Sequence, residues 1–352
     1  MPLIKDTEKR NGARASGAIS YSGRLSDPLR RSVPTPHSIT LELMGKAVRL
    51  ESNSPKVIDH ALQFFAWYPQ VSQGDLKQDH PDLTWRIVSE PGGLDRPGAS
   101  PSGFSDANLS FANFGQRSFG AVDAATRTGI AFLAEEFVEV LEPRLGIRPP
   151  MEFLLYMTVT SLGFICLSAA CVAFHGRGVV LLGEPNSGKT TATYMAAKLG
   201  MELLADHMVF LESTSSGVRV WGDTFPALFR PEALQYLPEL RSQVCELSHE
   251  GVDFYFFEKS SLQSAQAHSV APLCCILLER GVAAAAQLAP MPPAALMPHL
   301  ATDLLFKVAD GFQSEQSAVF AGLAEVPAYR LSFGENPAIV ATIVRDMLVS
   351  HS

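Results

Sequence analysis

A mixed α/β protein is predicted, with a P-loop domain over residues 151–352 behind a smaller strand-rich α+β domain over 36–150. Three observations predict it. Short runs of alternating polar and apolar side chains, broken by Gly, Pro and Ser, fill residues 36–134. A nearly uncharged stretch follows at 151–174. Gly183 to Thr190 then spells G-x-x-x-x-G-K-[ST] between an apolar run and a helical one.

Length and composition allow that division. The chain has 352 residues, 47% apolar and 18% charged, enough for one large core or two modest ones. A net charge of -8 and a pI near 5.6 give no global basic field, so nucleic acid and anionic membrane are not expected partners. Five cysteines, Cys166, Cys171, Cys245, Cys274 and Cys275, are odd in number and lack metal-ligand spacing. A reducing cytoplasm is expected.

The elements are read in order. Met1 to Arg31 carries seven Lys or Arg against three Asp or Glu among Gly, Ser and Pro, with no apolar signal core, and residues 1–35 are expected to be a disordered tail. Ser38–Leu43 and Lys46–Ser52 are strands around a Met44-Gly45 turn. Ser54-Pro55 starts a helix running to about Trp67. Leu83–Ser89 is a strand, and Glu90–Asn108, dense in Gly, Pro and Ser, is expected to be a loop. Ser118–Asp123 and Gly129–Ala134 form a hairpin, and a helix is expected from about Glu135 to Leu145.

Met151–Phe174 has one charge, Glu152, and the length of a membrane span. Its Thr, Ser, Gly and Cys content and the missing basic flank favour a buried helix plus strand. No internal repeat is present.

Val179–Leu182 reads as a buried strand and Thr190–Leu199 as a helix ended by Gly200, so the motif lies in strand-to-helix context. Glycines let backbone N–H groups turn around phosphates, and the helix start adds positive potential. Lys189 is suited to the β/γ oxygens, and the Thr190 hydroxyl to Mg²⁺. Gly183, Glu184, Pro185, Asn186, Ser187, Gly188, Lys189, Thr190 and Thr191 form the expected nucleotide-binding set.

Carboxylates must decide what such a loop does. Asp206 closes the short Leu203-Leu204-Ala205 run after the loop helix. If that run pairs beside the loop strand, its carboxylate lies near the γ-phosphate, able to accept a proton from a hydroxyl or to hold the metal. The bland alternative is a turn aspartate before the hairpin of Met208–Glu212 and Val218–Trp221. Glu279, closing Cys274–Leu278, offers a hydrolase-type acid, or simply a strand end capped by Arg280. No N/T-K-x-D guanine signature is present.

The loop together with Leu203-Leu204-Ala205-Asp206-His207 at this spacing resembles the HPr kinase/phosphorylase superfamily. It is most similar to the HPr kinase-related branch that accompanies peptide-modifying gene clusters, including lasso-peptide kinases. The resemblance extends from about Gly163 to Leu348, through "PLCCILLERG" and "PAYRLSFGENPAIVATIV". It implies an HPr kinase-type domain that transfers the γ-phosphoryl group of ATP, with Mg²⁺, to a Ser- or Thr-type hydroxyl. Asp206 aligns with the base, and the acceptor is expected to be a peptide, ahead of a protein or small molecule. Thr190, Asp206 and His207 are the expected metal set, and Arg230, after Gly222–Pro226, is expected to stabilise transferring charge alongside Lys189. Lys259 resembles a lid lysine.

Departures are specific. His207 stands where the family has a second acid, Ser168 where a His precedes the loop, and no "EIRGLG"-type segment follows, which argues against HPr itself as acceptor. Two other classes stay open: a nucleotide-binding regulatory module and an ATPase using Glu279. Self-association is also left open.

Overall fold

Two large sheets with helices laid against them account for most of the described residues. This computed structural model describes residues 32–66, 68, 80–91, 97–106, 108–115, 117–135, 148–222, 227–242, 245–249, 252–257, 268–281, 285–302 and 312–351. The tail before residue 32, Trp67, the helix expected beyond Glu135, the Asp223–Pro226 turn and Lys259 lie outside the described residues. Pro34–Ser352 forms one compact unit.

The first sheet begins with β1 (His37–Leu43) and β2 (Lys46–Ser52), antiparallel across Met44-Gly45, both at positive φ as a tight hairpin turn demands. Helix α1 (Pro55–Phe64) follows an extended Ser54 and buries Val57, Ile58 and Ala61 at helical spacing. The sheet is completed by β3 (Leu83–Glu90), β4 (Pro97–Asp106), β5 (Leu109–Gly115), β6 (Phe119–Asp123) and β7 (Thr128–Ala134), in the order β1-β2-β3-β7-β6-β5-β4.

One expectation is corrected here. Residues 97–106 form an edge strand instead of a loop, pairing β5 with an irregularity between Pro97 and Ser102. An edge needs only one side of its backbone paired, so Pro97 and Pro101 are tolerated there.

Helix α2 (Arg148–Ser161) covers this sheet, burying Met151, Leu154 and Leu155, and Thr158 Oγ1 accepts from Trp85 Nε1 at 2.7 Å. Strands β8 (Ile165–Leu167) and β9 (Ala170–Phe174) follow directly. The apolar 151–174 stretch is therefore a buried helix and two strands, and no described helix is long and apolar enough to cross a membrane.

The second sheet continues through β10 (Arg177–Leu182), α3 (Lys189–Lys198), β11 (Glu202–Ala205), β12 (Val209–Thr214) and β13 (Gly217–Gly222). Next come β14 (Ala227–Phe229), β15 (Cys245–His249) and β16 (Val252–Phe257), which form a small sheet of their own in the order β14-β16-β15. The chain returns with β17 (Ser269–Arg280), β18 (Gln287–Met291), α4 (Met297–Thr302), α5 (Gln313–Ala324), β19 (Ala328–Phe333) and α6 (Ala338–Ser350). The order is β11-β9-β10-β17-β13-β12-β8, with β19 between β17 and β18.

Alternation along the strands builds two cores. Val179 and Leu181 of β10 pack with Ala192 and Ala196 of α3 and with Val340 and Val344 of α6. Val180 and Leu182 face the other way, toward Val319 and Leu323 of α5. A third core joins the two large sheets: Trp85 and Ile87 share it with Leu155, Phe164, Met208 and Phe210.

Cys166, Cys171, Cys274 and Cys275 are free and buried. Burial pushes their thiols up, Cys274 and Cys275 to about 12, so none is an available thiolate.

Candidate functional site

The Gly183–Thr190 loop leaves the fully buried end of β10 and enters α3. Its backbone turns at Gly183 (φ 142), Asn186 (φ 69) and Gly188 (φ 93), positive-φ turns of the kind found in loops whose amides gather around anions. Gly183 has no alternative residue. A Cβ there would stand 2.9 Å from both Leu278 O and Ser187 Oγ.

Side chains complete the cradle. Lys189 Nζ donates to Gly183 O at 2.5 Å and to Glu184 O at 3.1 Å, curling the loop around the ammonium. Ser187 is buried and its Oγ has no hydrogen-bond partner among the described residues. Glu184, Pro185 and Asn186 are exposed, Thr190 half-buried, and Thr191 buried against the sheet. Next to Gly188 lie Phe333 and Pro337, so the turn between β19 and α6 borders the loop.

Asp206 is buried at the C-terminal end of β11. The chain does not return directly beside the loop strand, as the spacing suggests: β9 lies between β10 and β11, antiparallel to both. Two antiparallel steps restore the direction, so Asp206 and the loop emerge at the same end of the sheet, two strand spacings or about 10 Å apart laterally. The β9–β11 ladder is irregular between Leu203 and Ala205, which lets the chain leave the sheet at Asp206. His207 is exposed at the bend that follows.

Glu279 lies at the end of β17, the parallel neighbour of β10, so it reaches the same sheet end. Its cap differs from the expected one. Ser332 Oγ donates to it at 3.0 Å and Arg330 Nε lies at 3.3 Å, while Arg280 pairs instead with Glu335 at 2.9 Å. These contacts tie Glu279 to β19.

Arg230 is exposed and precedes a short 3₁₀ turn, Pro231–Gln235. The segment carrying it is seated on α3, a feature that sequence reasoning missed. Phe229 meets Tyr194 edge-to-face at 5.5 Å, Glu239 pairs with Lys198, and Tyr236 Oη donates to Glu335 O at 3.0 Å. Burial, reinforced by the charge of Glu239, raises the Tyr194 phenol. The available signal was a large aromatic in a helix otherwise built of small side chains.

No protein-family model and no curated protein matches this chain. Among solved structures, the chain is similar to the Hpr(Ser) kinase/phosphatase from Coxiella burnetii, at 12% identity over 53% of this chain and 97% of that one, with a TM-score of 0.29.

The donor set suits a nucleotide with Mg²⁺. Among the described residues no three His, Cys, Asp or Glu side chains cluster as a metal cage. Mg²⁺ in nucleotide sites takes most of its ligands from phosphates and water, with one or two from protein. Thr190 stands at the start of α3 and Asp206 two strands away at the same end of the sheet, with exposed His207 next to Asp206 in the chain.

Proposed function

We propose that this protein is an ATP-dependent phosphotransferase acting on a Ser- or Thr-type hydroxyl, with a peptide as the favoured acceptor. The observation that carries the proposal is the buried Asp206 at the same sheet end as the Gly183–Thr190 loop. A buried carboxylate at the loop's end of the sheet supports this reading, since ionisable groups held out of water are often functional.

In this reading the loop amides, Ser187 and Lys189 hold the β- and γ-phosphates. Thr190 and Asp206 would hold Mg²⁺, with His207 as a further candidate ligand, and the ion would supply neutralisation of phosphate charge. Asp206 accepts the proton of the acceptor hydroxyl as its oxygen attacks the γ-phosphorus, and the bond to the β-phosphate oxygen breaks to release ADP. Arg230, carried on the segment seated against α3, stabilises charge on the transferring group. The peptide preference rests on the family resemblance of the loop and the Leu203–His207 run.

Glu279 has less claim as a hydrolase acid because Arg330 and Ser332 already engage it.

The test follows γ-labelled ATP with Mg²⁺ into peptide, protein and small-molecule fractions of a source-cell extract. Label should enter one fraction, and Asp206→Asn should reduce transfer by about 10²- to 10⁴-fold while nucleotide still binds. Release of free phosphate alone, unchanged in Asp206→Asn, would falsify the kinase assignment.

A further inference from the structure

Away from the loop, a cavity of about 250 Å³ opens where turns of the first sheet meet the second sheet and α5. Two cations line it: Lys46, in the β1–β2 hairpin, and Arg127, in the turn before β7. Three carboxylates line it as well: Asp82 before β3, Glu212 of β12 and Glu315 in the first turn of α5. Leu162 and Phe312 add apolar wall. The Phe312 ring lies against the bare Cα of Gly163, where a Cβ would stand 2.9 Å from it.

Apart from Arg127 and Asp82, these charges share a cavity without neutralising one another. Lys46, Glu212 and Glu315 are in no ion pair among the described residues; Glu212 accepts only from Trp221 Nε1, and Glu315 only from Ser314 Oγ. Arg127 reaches Asp82 at 3.9 Å, the limit of an ion pair, and the other Asp82 oxygen accepts from Ala47 N at 2.9 Å. Lys46, Glu212 and Glu315 are half-buried charges outside any ion pair, which costs desolvation, and a ligand carrying both signs offsets that cost at both ends. A ligand with a single charge would satisfy one side and be repelled by the other.

We propose that this cavity binds a free α-amino acid with an apolar side chain, its carboxylate at Lys46 and Arg127 and its ammonium at Glu212 and Glu315. The volume suits a molecule of that size and is below the range of larger cofactor sites. Nothing in this proposal depends on the phosphate loop.

L-phenylalanine serves as the probe, titrated into the full chain and followed by calorimetry or ligand-detected NMR. Saturable binding is expected, weakened at least tenfold by Lys46→Met and by Glu212→Gln. Glutamine keeps the acceptor for Trp221 Nε1. The same charges are tested on the unaltered protein with N-acetyl-L-phenylalanine and L-phenylalanine amide, each expected to bind at least tenfold more weakly than the parent. The proposal is overturned by absence of saturable binding into the millimolar range, or by equal binding of the parent and both derivatives.

Discussion

Lys189 donates to the carbonyls of Gly183 and Glu184, so its ammonium is drawn into the loop that it belongs to. Removing it takes away both that internal contact and the compact cation that the proposed function assigns to phosphate oxygens. Lys189→Ala is expected to weaken MgATP binding about 10- to 100-fold, matching the roughly 1.5–3 kcal/mol of a hydrogen bond to a charged group. A calorimetric titration checks this, and unchanged affinity would remove the loop from nucleotide binding. At this scale much of the site is legible in the sequence, because the loop's glycines, Lys189 and Thr190 are neighbours in the chain. Asp206 is legible only in part. Its burial and its end of the sheet depend on β9, whose pairing with both β10 and β11 no local spacing encodes.

Between elements, contact distances become the controlling quantities. A Cβ on Gly222 would stand 2.3 Å from Leu204 O, so the end of β13 and the end of β11 meet backbone to backbone. That contact holds the strand from which Asp206 emerges. Gly222→Ala is expected to cost about 1–3 kcal/mol, the usual range for overpacking a filled site, and to reduce transfer more than the stability loss explains. A denaturation midpoint read beside a single-turnover rate separates the two effects; a variant as stable and as active as the parent would refute the close approach. Element types were readable where alternation or start signals were clear, as in β1, β2 and α1, and for β10 and α3 from an apolar run and a helical segment on either side of the motif. Residues 97–106 escaped it because their Gly, Pro and Ser content signals a loop, while an edge position tolerates those residues in a strand. The seat of the Arg230 segment escaped it too, since Phe229 and Tyr194 lie far apart in the chain and meet only through packing.

Across the whole molecule, the shared core of Trp85, Leu155, Phe164 and Phe210 spans residue 150, so the two large sheets are joined by packing as well as by chain. The division at residue 150 is one between sheets, we propose, with the β-rich part supporting the part that carries the loop. The four buried cysteines then give a use for the fold that its chemistry does not require. Cys171 and Cys275 lie on strands flanking β10, Cys274 adjoins Cys275, and Cys166 is on β8 at the far end of the order. Alkylation can reach these sulfurs only when the sheet opens, and their raised thiols slow any reaction in the closed state. Peptide mapping after timed iodoacetamide exposure should show labelling at least about 10³-fold slower at these positions than in the denatured chain. Comparable rates in both states would contradict their burial. The native cysteines thus form a built-in stopwatch for breathing of the central strands, one that MgATP should slow if it binds at the end of β10.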